Sequence, residues 1–331
     1  MSARTGPGVL RMRIRRTGAA AAAALLCAGL AGCGGSDRPA TPASSNRPVL
    51  VGSGPSSPSS RPSPSATPLA SGPYVALGDS YTAGPGIPAR TGVPLGCDRS
   101  SQAYPALLAA RLHLSAAQFR DVSCSGARIA DLDGEQSTSD GVNPAQLSAL
   151  SSSTRLVTLG IGGNDIGFAD LVERCVAAGL LRQTPCREQL TAGGDSVEAR
   201  IRTAGEQLAV ALAAIHRRAP QARVYVVGYP AILPADGGVC ASGLAMTVDD
   251  VAYLRVKEQH LNAMLRKRSE AAGVRFVDTW TPSLGHDACE TAGTRWIEPL
   301  LPSAPAAALH PNARGEQGMA EAVLATLGDD S

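Results

Sequence analysis

A serine stands in the stretch Gly78-Asp79-Ser80-Tyr81-Thr82-Ala83-Gly84. Before it runs a short apolar segment, Tyr74-Val75-Ala76-Leu77, whose length and composition predict a buried strand. A serine just past such a strand lies at the carboxyl edge of a sheet, where open α/β folds bind ligands. Its hydroxyl becomes a nucleophile when the chain also supplies a base, a group that orients the base, and donors for an oxyanion. Three other stretches offer polar residues in comparable places: Ser125-Gly126, Gly162-Gly163-Asn164-Asp165 and His310-Pro311-Asn312. Taken singly, Ser80 reads equally well as a helix cap, and Asn164 reads more readily as a turn residue.

The elements that would position these groups follow from apolar periodicity. Strands are expected at Tyr74–Leu77, Phe119–Ser123, Leu156–Leu159, Val224–Val227 and Val274–Val277. Between them lie helical patterns: Pro105 to Leu112, a stripe of Ile201, Leu208, Leu212 and Ile215, and another of Leu254, Leu261 and Leu265. Crossovers of this length join parallel strands, so the fold class is α/β, with helices on both faces of a mostly parallel five-stranded sheet. A last helix, capped by Asn312, would bury Met319, Val323 and Leu327. That arrangement brings Ser80, Gly126, Asn164 and His310 to one edge.

With four blocks in order, Gly78-Asp79-Ser80-Tyr81, Cys124-Ser125-Gly126-Ala127, Gly162-Gly163-Asn164-Asp165 and His310-Pro311-Asn312, the chain resembles the GDSL, or SGNH, hydrolases. It looks close to the secreted actinobacterial lipases and esterases with three disulfides. The resemblance covers residues 74 to about 315. It implies a three-layer α/β/α sandwich and hydrolysis of carboxylic esters, with no cofactor. The roles also follow from the chemistry. Ser80 attacks the carbonyl and His310 takes and returns its proton. Backbone N–H groups of Ser80 and Gly126 and the side-chain amide of Asn164 meet the oxyanion. Thr82 stands where a G-x-S-x-G elbow has its second glycine, which argues against the α/β-hydrolase fold.

One departure from the family pattern concerns the acid. Many members carry an aspartate three residues before the histidine; here that residue is Ala307, in a segment with no carboxylate. Some actinobacterial relatives likewise lack this acid and orient the histidine with a backbone carbonyl, so the resemblance implies the backbone carbonyl of Ala307 or one near it as the orienter, with Asp278 and Asp287 as rivals. His286 is the rival base, while His113, His216 and His260 fall on helical patterns as surface or packing residues. Trp280 and Trp296 suit either an acyl pocket or the core.

The rest of the chain bounds compartment and partners. Residues 1–32 read as a signal peptide, with basic residues Arg11 to Arg16 before an Ala/Leu run. Leu30-Ala31-Gly32-Cys33 resembles a lipobox, so Cys33 is expected to carry lipid and anchor the chain to a membrane surface. Residues 33–72 are Ser/Pro-rich and read as a disordered tether, leaving 73–331 as the hydrolase domain. Beyond the five arginines before residue 17 the chain is slightly acidic, which argues against nucleic acid as partner. A monomer is expected. Six cysteines remain in the exported part, and pairing by order gives Cys97–Cys124, Cys175–Cys186 and Cys240–Cys289. No CxxC pair or His/Cys cluster suggests a metal. Two other functions stay open: removal of acetyl groups from polysaccharide, and non-catalytic binding at the envelope.

Overall fold

The computed structural model describes residues 72–235 and 244–329. Signal, lipidation and tether expectations, Cys33 included, lie outside the described residues, apart from the tether's last residue, Gly72. In chain order the elements are β1 (Tyr74–Gly78), α1 (Ser80–Ala83), α2 (Tyr104–Arg111), β2 (Phe119–Asp121), β3 (Gln136–Thr138), β4 (Gly141–Asn143) and β5 (Leu156–Gly160). Next come α3 (Gly163–Ile166), α4 (Phe168–Leu180), α5 (Cys186–Thr191), α6 (Ser196–Arg218) and β6 (Arg223–Val227). Last are α7 (Val248–Ala271), β7 (Arg275–Val277), α8 (Trp280–Ser283) and α9 (Ala313–Gly328). No helix among the described residues is long and apolar enough to cross a membrane.

Five strands form one parallel sheet in the order β2-β1-β5-β6-β7. Their apolar residues are continuous because both faces are covered. Tyr74, Ala76, Leu156, Tyr225 and Val227 pack with Leu108 of α2 and with Met319, Val323 and Leu327 of α9. Their neighbours Val75, Leu77, Val157, Leu159, Val224 and Val226 join Leu208 and Leu212 of α6 and Leu254 and Leu261 of α7 in the other core. These are the three layers expected, in the α/β/α class expected. The antiparallel ribbon β3–β4 stands apart from the sheet.

Local chemistry sets the element ends. Asp195 caps α6 by accepting the N–H groups of Val197 and Glu198, and Asn312 caps α9 by accepting those of Arg314 and Gly315. The strand expected to reach Ser123 closes at Asp121, whose carboxylate accepts the Ser123 N–H at 2.9 Å and its hydroxyl at 2.6 Å. β7 starts one residue late because Val274 donates back to Ser269 at the end of α7. Cys97–Cys124 and Cys175–Cys186 are disulfides. The third expected pair cannot be followed, since Cys240 lies outside the described residues.

Candidate active site

β1 and β5 run in register to Gly78 and Gly160, and the chain past each of them supplies the site. Gly78 has φ +152°, and a Cβ there would lie 2.2 Å from the Thr82 hydroxyl and 2.5 Å from the Gly160 carbonyl. Only glycine fits so tight an exit. Gln146 fastens it, accepting the Gly78 N–H at 2.7 Å and donating to its carbonyl at 2.9 Å. Asp79 then caps the single turn of α1, accepting the Tyr81 N–H at 2.9 Å. Ser80 thus begins a helical turn, with a backbone N–H of the kind that has no partner within the helix.

Ser80 Oγ lies 2.8 Å from His310 Nε2. The other ring nitrogen, Nδ1, lies 2.7 Å from the carbonyl of Ala308. Nδ1–H therefore donates to a main-chain oxygen, and Nε2 is left as the acceptor for the serine proton. The carbonyl is one residue beyond the expected Ala307, whose own oxygen takes the His310 backbone N–H at 3.2 Å. The shift has a simple geometric reason. The Ala307 carbonyl is spent closing the turn, so the next one along faces the ring. With both ring nitrogens engaged, no carboxylate among the described residues bonds to His310. Asp278 accepts from Thr281 and pairs with Arg266 at 3.4 Å, and Asp287 accepts the Cys289 N–H at 2.9 Å. Burial lowers the His310 pKa, and the Ala308 carbonyl opposes that in part.

The loop before His310 is irregular and held from beneath. Glu298, 1% exposed, pairs with Arg295 at 3.0 Å and accepts from Asn312 and from the N–H groups of Ser303 and Ala304. Burial would raise its pKa, but these donors bring it down to about 2. Glu298 and the histidine segment also exchange main-chain bonds, Leu309 N–H to Glu298 and Glu298 N–H to His310, at 2.9 and 3.0 Å. Leu309 sits at φ +60°, a left-handed conformation that costs a β-carbon residue about 1–3 kcal/mol. The Tyr81 hydroxyl donates to its carbonyl at 2.5 Å, and the Tyr81 ring lies 4.9 Å from that of His310.

The opposite side offers donors. Gly126 has φ +79°, which glycine adopts freely. Its turn is pinned by the Cys97–Cys124 bridge, by Ser125 N–H to the Cys97 carbonyl at 3.0 Å, and by Gln136 of the ribbon to the Ser125 carbonyl at 2.8 Å. Asn164, in α3, donates one amide hydrogen to the Ala127 carbonyl at 3.0 Å. A primary amide has a second hydrogen to offer. Asp165 ties the same loop to Ile129 N–H at 3.1 Å.

Ser80, Gly126, Asn164 and His310 line one cavity of about 320 Å³. Its apolar wall includes Tyr81, Phe168, Ile232, Leu261 and Leu309. Trp280 and Trp296 are elsewhere: Arg255 stacks over Trp280, and Trp296 stacks on His286 with ring centres 4.7 Å apart. His286 donates from Nδ1 to the Thr294 carbonyl, 2.6 Å away, and does not bond Ser80. His260 bonds Glu198 and His216 bonds the Ala272 carbonyl, both at the surface. Three polar residues of the cavity escaped the sequence reading: Asp98, Tyr229 and Glu258. Tyr229, just past β6, carries no motif. Glu258 of α7 is 2% exposed, and burial pushes its pKa well up. The N–H groups of Ile232 and Leu233 oppose that rise, yet no hydrogen bond of good geometry reaches either carboxylate oxygen.

The fold and this constellation define a class, and the chain belongs to the GDSL-like lipase/acylhydrolase family, whose model matches residues 76–317. It is a carboxylic ester hydrolase. It is 42% identical to Lipase 2 of Streptomyces coelicolor over 240 residues, 71% of this chain and 78% of that protein. Among solved structures it is similar to phospholipase A1 from Streptomyces albidoflavus, at 32% identity and a TM-score of 0.62, covering 78% of this chain and 99% of the other. The extracellular lipase from Streptomyces rimosus matches at 32% identity and a TM-score of 0.60, covering 77% and 99%.

Proposed function

We propose that this protein cleaves lipid or simple acyl esters by a Ser80–His310 dyad without a carboxylate. The contact that carries the reading is Ser80 Oγ to His310 Nε2 at 2.8 Å, with Nδ1 held by the Ala308 carbonyl at 2.7 Å. In the first half-reaction His310 takes the serine proton as Oγ bonds the ester carbon. The carbonyl oxygen becomes an oxyanion, met by the N–H groups of Ser80 and Gly126 and the free amide hydrogen of Asn164. Collapse breaks the bond to the alkoxy group, which leaves as the alcohol with the proton from His310. Water, deprotonated by the same nitrogen, then releases the acid and restores Ser80. The Ala308 carbonyl fixes the tautomer but brings no negative charge to the imidazolium, unlike an aspartate.

The apolar wall of Phe168, Ile232, Leu261 and Leu309 supports an acyl chain over an acetyl group on sugar. The names of the relatives, lipases and a phospholipase A1, support it too. Turnover of p-nitrophenyl esters from acetate to palmitate tests the reading. Rising kcat/KM beyond acetate is expected. Activity confined to acetate favours a polysaccharide deacetylase, and no turnover by folded protein favours a binding protein.

We also propose an exported, monomeric enzyme tethered at the outer membrane face through lipidated Cys33. Two disulfides and the basic, then apolar, amino-terminal sequence support export. Cys33→Ala should release active enzyme to the medium. A wild-type protein that is wholly soluble and carries no lipid by mass spectrometry overturns the anchor.

A further inference from the structure

The two neighbours of Ser80 are both tied to other parts of the site. Tyr81 reaches the histidine loop, as described above. Asp79 reaches the opposite loop, but only through a third residue. Tyr229 donates its hydroxyl to Asp79 Oδ2 and accepts the Gly163 N–H at 2.8 Å. Gly163 is the residue before Asn164 and opens α3. The Tyr229 backbone is itself fixed, its N–H and carbonyl bonded by Asn262 of α7 at 2.8 and 2.9 Å. Its ring packs edge-on to Tyr81, centres 5.0 Å apart, and is 4% exposed.

A tyrosine hydroxyl has one proton and accepting lone pairs. Here the proton is committed to Asp79 and a lone pair to Gly163, so a single oxygen joins the cap of the nucleophile turn to the asparagine loop. Oxyanion donors act through preorganisation, because they must already face the place where charge develops. The loop that carries Asn164 starts at Gly162, with φ +123°, a conformation that invites alternatives. A Cβ added at Gly163 would lie 3.2–3.3 Å from the Tyr229 ring and hydroxyl, so the loop backbone rests directly on this side chain.

We propose that Tyr229 is a positioning residue that fixes the Asn164 amide relative to Ser80 through the Asp79–Tyr229–Gly163 chain. The proposal rests on the oxyanion role given to Asn164 above. It acts on the transition state and not on substrate binding, so its loss falls on kcat.

The test is kcat and KM on a p-nitrophenyl ester, with the thermal midpoint, for Tyr229→Phe, Asn164→Ala and the double variant. Phenylalanine keeps the ring packing and removes only the bridging oxygen. Tyr229→Phe should lower kcat by about 10- to 100-fold, with KM within about twofold and the thermal midpoint nearly unchanged, for a donor misplaced and not lost. Asn164→Ala should lower kcat by about 10²–10³-fold. In the Asn164→Ala background, Tyr229→Phe should cost less than about threefold more, since coupled residues are not additive. Unchanged kcat in Tyr229→Phe overturns the proposal. So does a loss that multiplies fully with that of Asn164→Ala, or one that comes with a collapse of KM and thermal midpoint. Unchanged kcat in Asn164→Ala removes the oxyanion reading itself, which is a separate and distinguishable failure.

Discussion

The two sides of Ser80 are held by different physics. On the base side, the loop to His310 lacks regular structure and rests on a buried ion pair, Arg295–Glu298. On the oxyanion side, the turn at Gly126 is held by a disulfide and neutral hydrogen bonds, and the Asn164 loop by the Tyr229 hydroxyl. A base must keep one tautomer and one angle while its own charge changes. A scaffold of charges below it, with Glu298 at a pKa of about 2, does not titrate in the working range. The oxyanion donors are neutral dipoles that need only be kept still, and here a covalent bridge and hydrogen bonds, two of them to the carboxylates of Asp79 and Asp165, do so.

The largest disturbance should come from cutting the ion pair. Arg295→Met leaves Glu298 buried without its counter-charge, at a cost of about 3–5 kcal/mol. Chemical denaturation should show that loss. A change within about 1 kcal/mol would mean that Ser303, Ala304 and Asn312 suffice. Next is the disulfide. Cys97→Ala with Cys124→Ala should remove about 2–4 kcal/mol, and kcat should fall while the affinity for a non-hydrolysable substrate analogue holds. Equal activity at a temperature where the variant stays folded would show that the bridge does not serve the Gly126 donor.

The smallest effect concerns Glu258, in the cavity wall. Its folded pKa is raised above the ordinary 4.5 by burial. The sign follows: its contribution is full below about pH 4.5 and is lost as pH rises toward the folded value. Stability of the wild type should therefore decline as pH rises above about 4.5. Glu258→Gln should flatten that decline. A slope identical in both proteins would place the titration elsewhere. Asp79, its pKa raised to about 7 by burial, adds a decline of the same sign below neutrality.

Much of this was legible in the sequence, for identifiable reasons. Buried parallel strands leave short apolar runs, and the polar residues past β1, β5 and the last loop are forced to one edge by topology. Topology together with the resemblance to the GDSL hydrolases, carried by the four sequence blocks, therefore singles out Ser80, Gly126, Asn164 and His310. The orienting carbonyl was placed at Ala307 and stands at Ala308, because peptide direction in an irregular loop depends on turn geometry that residue type does not encode. Tyr229 and Glu258 were missed for another reason. Each sits in a pattern that core residues also satisfy, and their roles come from long-range contacts, 150 residues apart in the case of Tyr229 and Asp79. Trp280 and Trp296 drew attention by size and lie outside the cavity wall.

The dyad itself is tested most directly by labelling. A p-nitrophenyl alkylphosphonate should phosphonylate the protein once, on Ser80 by peptide mapping. His310→Ala should lower the labelling rate by about a thousandfold or more, while Asp278→Asn and Asp287→Asn label within about threefold of wild type. A label on another residue, labelling that survives loss of His310, or a thousandfold fall in either aspartate variant with stability unchanged would contradict a Ser80–His310 dyad oriented by the Ala308 carbonyl.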